Sequence, residues 1–181
     1  MALTTDILAS YRRPRTVLRR QAGHPGEARR EARILVYLII GCALIFVAQW
    51  PRLAREAHLD DTIPLEALMA GALFAWVFVA PLVFYALAGL LALMLRLTGP
   101  VDTFAVRLAV FWSVLVASPL MLLQGLAAGM IGPGPQAALA FVPAALAFFA
   151  NLIAGLRVSL EGRAPAPYEG SCPRPPLIPR C

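Results

Sequence analysis

The side chains that could do chemistry in the apolar part of this chain are few and uncharged. Four apolar stretches, at 34–50, 67–95, 108–131 and 137–156, contain no Asp, Glu, Lys or His. Ionisable residues inside a membrane usually mark proton paths, ion sites or catalytic groups. Because these stretches lack them, we predict no enzymatic activity, no transmembrane metal site and no cofactor.

The polar residues left in these stretches are Gln49, Ser113, Ser118, Gln124 and Asn151. Hydrogen bonds between membrane helices contribute about 0.6–2 kcal/mol each. We therefore interpret these residues as partners in interhelical hydrogen bonds. A small polar pocket lined by Gln124 and Asn151 is the alternative. A transporter or channel would need a polar pathway, for which Gln124, Asn151 and Ser118 are the candidate lining residues.

Glycines mark a second kind of site. Gly125 and Gly129, four residues apart, lie on one face of a predicted helix, and Gly132 follows them. Such spacing lets two helices approach closely. The face could join two copies of the chain or pack against the chain's own helices, and we favour the second interpretation. Gly71 and Ala75 form a weaker pair of the same kind.

The elements that carry these residues are long enough to cross a bilayer. A helix of about 18 or more apolar residues spans a hydrocarbon core of about 30 Å. Hydrophobic residues make up 60% of the 181-residue chain and charged residues only 14%. We predict an all-α membrane protein with four transmembrane helices in a bundle and a short amphipathic N-terminal helix.

Two prolines bear on the predicted spans. We expect Pro51 to end the first span. The second stretch, if wholly helical, would cover about 43 Å, so a tilt, a kink at Pro81 or an extra turn must absorb the excess. The predicted regions are a basic segment at 1–33, the four spans within 34–157 and a Pro-rich tail at 158–181.

The N-terminal segment combines an apolar face with clustered arginines. Leu3, Ile7, Leu8 and Tyr11 recur at helical spacing. An apolar face beside basic residues is typical of a helix that lies in the membrane interface. The alternative is a solvated helix whose arginines only set the topology. The residues predicted to meet the membrane surface are Ile7, Leu8, Tyr11, Arg12, Arg13, Arg15, Arg19 and Arg20.

Arginine is distributed unevenly along the chain. With the N-terminus inside, segments 1–33, 96–107 and 157–181 hold 14 of the 16 arginines, and the two outer loops hold only Arg52 and Arg55. Cytoplasmic segments of membrane proteins carry such an excess. We predict that both termini are cytoplasmic. We also predict that the partner of the basic residues is the lipid bilayer and that no nucleic acid is bound.

Several strings of the chain resemble short alphaproteobacterial members of the Yip family of multi-span membrane proteins. They are Asp6–Leu8, Arg13–Arg15, Leu18–Arg20, Ala48–Ala57, Ala105–Trp112, Ser118–Gly129 and Ile131–Pro135. The resemblance covers about residues 3–157 and implies a non-catalytic protein that organises membranes or binds partners. Eukaryotic members usually have five spans and bind Rab-type GTPases. This chain has four predicted spans, so the GTPase partner is not carried over.

Together these features predict a non-enzymatic scaffold or accessory protein of the bacterial inner membrane. It would act through helix packing, with a protein partner or a second copy of itself in the membrane. Two alternatives remain: an accessory subunit of a larger bioenergetic complex, and a small transporter or channel.

Overall fold

The computed structural model describes residues 3–22, 27–60, 62–97, 99, 101–132 and 134–161, and the described residues form helices joined by short turns. Four helical units are long and apolar enough to cross a membrane, which confirms the all-α four-span fold. The helices are α1 (Leu3–Arg12), α2 (Pro14–Ala22), α3 (Glu27–Leu59), α4 (Leu65–Phe74), a π-helical turn (Ala75–Val79), α5 (Ala80–Arg96), α6 (Thr103–Ile131) and α7 (Pro135–Glu161).

Helix α6 lies at the centre of the bundle. Of its most apolar window 67% is buried, compared with 17–33% for the other three spans. Helices α3 and α7 form the two largest interfaces with α6, and α5 forms a smaller one. Its side chains from Leu108 to Ser118 are all buried. The hydrophobic core therefore surrounds this one helix.

The expectation that Pro51 ends the first span is wrong. Helix α3 continues through Pro51 to Leu59. A proline inside a helix removes one backbone hydrogen bond and strains the preceding turn. Here the helix beyond Pro51 is held by packing against α6, because Gly129 lies against Pro51 and Arg55 hydrogen-bonds to the end of α6. Contacts with α6 therefore outweigh the tendency of Pro51 to end the helix.

The second span is one long helix with an irregular turn near Pro81. It is continuous from Leu65 to Arg96 and contains the π-helical turn just before Pro81. The ring of Pro81 would clash with the carbonyl of Val77 in a regular α-helix. Since Val77 lies within the π-helical turn, the wider turn accommodates the proline.

Helix α7 continues to Glu161, so its last four residues lie within the predicted tail at 158–181. Residues 162–181, with Cys172, Cys181 and the Pro-rich sequence, lie outside the described residues, as does His24.

Candidate helix-packing and membrane-surface sites

The predicted glycine face packs inside the chain. A Cβ atom added to Gly125 would lie 1.8 Å from the backbone oxygen of Ala48, and one added to Gly129 would lie 2.3 Å from Cβ of Pro51. Both contacts are with α3. Gly41 makes a third approach from the α3 side, toward Val114. The two helices therefore lie almost backbone to backbone over most of their length.

Gly132 closes the same interface at the end of α6. Its φ of 89° lies in the left-handed region that glycine tolerates best. The Arg55 guanidinium lies over it and would be 2.7 Å from an added Cβ. Nη1 of Arg55 donates to the carbonyls of Gly129 and Met130, each at 3.3 Å. A cation at a helix C-terminus stabilises the helix dipole, so Arg55 caps α6.

Three of the five polar residues of the spans donate to carbonyls of their own helices. Ser113 donates to the carbonyl of Ala109 at 2.6 Å, Ser118 to that of Leu115 at 2.8 Å and Asn151 to that of Ala147 at 2.9 Å. The prediction of interhelical hydrogen bonds is wrong for these three donors. The backbone carbonyl three or four residues earlier in the same helix has a free lone pair. Such a donor therefore needs no hydrogen-bond acceptor on a neighbouring helix.

Gln124 and Asn151 do not share a pocket. Gly155 of α7 packs against Ala109 of α6, and α7 returns antiparallel to α6. One turn further, Asn151 lies at the level of Ser113. Gln124 is eleven residues beyond Ser113, about 16 Å along the axis. The lining proposed for a transport path is therefore not assembled.

The N-terminal segment folds as a helical hairpin packed alongside the first half of α6. Arg20 of α2 pairs with Asp6 of α1 and so joins the two short helices. Arg33 of α3 donates to the carbonyl of Gln21 at 3.1 Å. Leu18 is buried and lies near the position of a Cβ on Gly155. The hairpin thus contacts α3 and α7 as well as the centre of the bundle.

Two hydrogen bonds attach α1 to α6. Nε1 of the fully buried Trp112 donates to Oγ of Ser10 at 2.9 Å. The Trp112 ring also meets Tyr37 edge to face, with ring centroids 5.1 Å apart. The Tyr11 hydroxyl donates to the carbonyl of Val116 at 2.5 Å. Burial raises the pKa of Tyr11 above its ordinary 10.0.

The predicted apolar face of α1 is divided in the structure. Leu3 and Ile7 pack against the core, whereas the side chain of Leu8 is 67% exposed. Tyr11 is partly exposed but is bonded to α6. The predicted surface arginines Arg12, Arg13, Arg15, Arg19 and Arg20 are all exposed, and Arg20 also pairs with Asp6.

Sequence reasoning missed Ser10, Arg55 and the pair formed by Arg107 and Glu31. Arg107 of α6 donates to Glu31 of α3 at 2.7 Å, so it is an ion-pair partner as well as a residue near the span end. Ser10 lies on the same helical face as Leu3 and Ile7, and this spacing could have identified it. Arg55 gives no local signal, because its partners are 74 and 75 residues away.

One face of the second span has no neighbour among the residues that the structure describes. An added Cβ on Gly71 would meet no atom within 4 Å, and Ala75 is exposed beside it. The rings of Phe74 and Phe78 stack at 5.7 Å next to these small residues. Phe78 is 62% exposed. We call Gly71, Phe74, Ala75 and Phe78 the open face.

Within the described ranges, no three His, Cys, Asp or Glu side chains lie close enough together to hold a metal ion. Comparison of the chain with protein-family models, with curated proteins and with solved structures found no match. The argument about function therefore depends on the geometry of these sites.

Proposed function

We propose that this protein is a non-enzymatic scaffold or accessory protein of the bacterial inner membrane that holds a protein partner, or a second copy of itself, through the open face of its second span. The resemblance to the Yip family of membrane-organising proteins agrees with this proposal. Both termini are proposed to be cytoplasmic, because the arginine-rich segments flank the ends of α3, α6 and α7 that gather around the hairpin.

The open face is the observation that carries the proposal. Small residues let two membrane helices approach closely, and the gain comes from van der Waals contact. The same motif at Gly125 and Gly129 is already occupied by α3. Gly71 and Ala75 offer an unused version, with stacked aromatic rings beside it. In addition, α4 has no buried residue, so this part of the second span is free for a partner.

Local bonding of the polar groups supports a structural role over a transport role. The hydroxyls of Ser113 and Ser118 and the amide of Asn151 each donate to a carbonyl of the same helix. A path for a polar solute needs polar groups facing a common cavity. The described spans instead enclose α6 with apolar side chains.

Purification in a mild detergent tests this function. The wild-type protein is compared with Gly71→Leu and with Gly89→Leu as a matched control, because an added Cβ at Gly89 also meets no atom within 4 Å. We expect one stoichiometric partner, or a dimer, that the Gly89 variant retains and the Gly71 variant loses. Identical recovery from all three proteins would contradict the proposal.

A liposome flux assay separates the scaffold from the transporter alternative. The scaffold proposal predicts that reconstituted protein leaves the permeability to ions and small polar solutes at the level of empty liposomes. Saturable flux of a solute, abolished by a single substitution in a span, would contradict it.

A further inference from the structure

Four arginines gather around a groove between the hairpin and α7. The groove has a volume of about 440 Å³ and is lined by Arg12, Arg13 and Arg15 at the turn from α1 to α2 and by Arg157 near the end of α7. All four side chains are exposed. No carboxylate whose side chain the structure describes forms an ion pair with any of them. Cations held so close together favour binding of an anion.

The other wall of the groove is apolar. Ala150, Ile153 and Ala154 of α7 continue the groove away from Arg157 into the span. Ala150 lies seven residues from Arg157, about 10 Å along the helix. The groove therefore places guanidinium groups beside an apolar wall within about 10 Å along the helix.

The depth of the hairpin also favours an anion beside these arginines. Tyr11, directly before the arginines, reaches the carbonyl of Val116, nine residues or about 13 Å along α6 from Arg107. Arginine at the margin of the hydrocarbon region is costly unless its guanidinium reaches the interface or meets an anion. A phosphate bound at the mouth of the groove would supply such an anion at the interface.

We propose that this groove binds the headgroup of an anionic phospholipid, with the phosphate held by Arg12, Arg13, Arg15 and Arg157 and one acyl chain lying along Ile153. Basic pockets beside membrane helices recognise such headgroups. An acidic protein segment fits less well, because the α7 wall of the groove is apolar. Lipid binding here goes beyond the scaffold function and does not depend on the open face.

Native mass spectrometry of the full-length protein, titrated with phosphatidylglycerol or phosphatidylcholine, tests the site. The site variant is Arg12→Gln with Arg157→Gln, and the control, Arg52→Gln with Arg96→Gln, removes the same formal charge outside the groove. Because each basic residue contributes about 1 kcal/mol toward an anionic lipid surface, the site variant should lose about thirtyfold in phosphatidylglycerol affinity. The control should lose less than about threefold at the ionic strength of the assay.

Two further arms distinguish a lipid from a free phosphate and from a folding defect. Ile153→Ser should weaken phosphatidylglycerol binding. Glycerol 3-phosphate, which has no acyl chain, should bind measurably neither to the wild-type protein nor to the Ile153→Ser variant. Arg13→Gln with Arg15→Gln replaces the first variant if that variant melts below the wild type without lipid. Equal affinity of site and control variants, no preference over phosphatidylcholine, or tight binding of glycerol 3-phosphate would overturn the proposal.

Discussion

Two small-residue faces of this protein have nearly the same motif but opposite surroundings. Gly125 and Gly129 lie against the backbone of α3, with no room for even a methyl group. Gly71 and Ala75 lie on a face that the described part of the chain leaves uncovered. The comparison shows that a motif for close helix packing does not reveal its partner, because only the fold decides which face is already occupied.

Filling the closed face should have the largest effect. In Gly125→Leu the new side chain would have to displace the backbone of α3 at Ala48, since its Cβ alone would lie 1.8 Å from the carbonyl oxygen. Overpacking commonly costs about 1–3 kcal/mol and more where backbone must move. We expect a loss at or above the upper end of this range in a detergent melt. A melting curve like that of the wild type would show that α3 and α6 are further apart than described.

The attachment of the hairpin to α6 should have the next largest effect. Ser10→Ala leaves the buried Nε1 of Trp112 without its acceptor, and an unpaired buried donor costs about 1–3 kcal/mol. Thr16→Ala is the control, because the exposed Thr16 bonds only to Arg13 in its own hairpin. The measurement is the melting temperature of each variant. Equal melting of both variants would contradict a docked hairpin.

Removal of the cap on α6 should have a smaller effect. Arg55→Gln loses the charge that faces the carbonyls of Gly129 and Met130. A cation at a helix C-terminus contributes about 0.3–1 kcal/mol. Arg52→Gln, which removes an exposed arginine 4.0 Å from Glu56, should cost less. Thermal unfolding of the two variants in one detergent compares them directly, and a larger loss for the Arg52 variant would contradict the capping role.

Filling the open face should barely change the stability of the isolated chain. An added Cβ at Gly71 meets no neighbour, and surface substitutions usually stay within about 0.5 kcal/mol. Replacing a helical glycine even favours the helix slightly. The test is the melting temperature of purified monomeric Gly71→Leu beside Gly125→Leu. A large loss in the Gly71 variant would show that this face is packed within the chain.

The sequence was sufficient for the number of spans, because uninterrupted apolar runs in a bilayer have only the helical solution. It was insufficient for the end of the first span, since Pro51 is a local signal that contacts with Gly129 and Arg55 override. The sequence does not predict that Ser113, Ser118 and Asn151 bond within their own helices, because residue type alone does not distinguish a neighbouring helix from the donor's own carbonyls. The capping by Arg55 could not be predicted, since its partners are remote in the chain.

The docked hairpin was predictable only in part. The spacing of Leu3 and Ile7 correctly indicates an apolar helical face, but the same pattern suits a membrane surface or a protein surface. The bond between Ser10 and Trp112 distinguishes these two surroundings, and it joins residues that are 102 positions apart.

Photocrosslinking in native membranes tests the central claim most directly. A benzoylphenylalanine at Phe78, on the open face, is compared with one at Leu146 on α7, since both side chains are about two-thirds exposed and the second lies outside the proposed interface. The account predicts one discrete protein adduct from position 78 that disappears when Gly71→Leu is added, and none from position 146. Lipid adducts alone from both positions would contradict it.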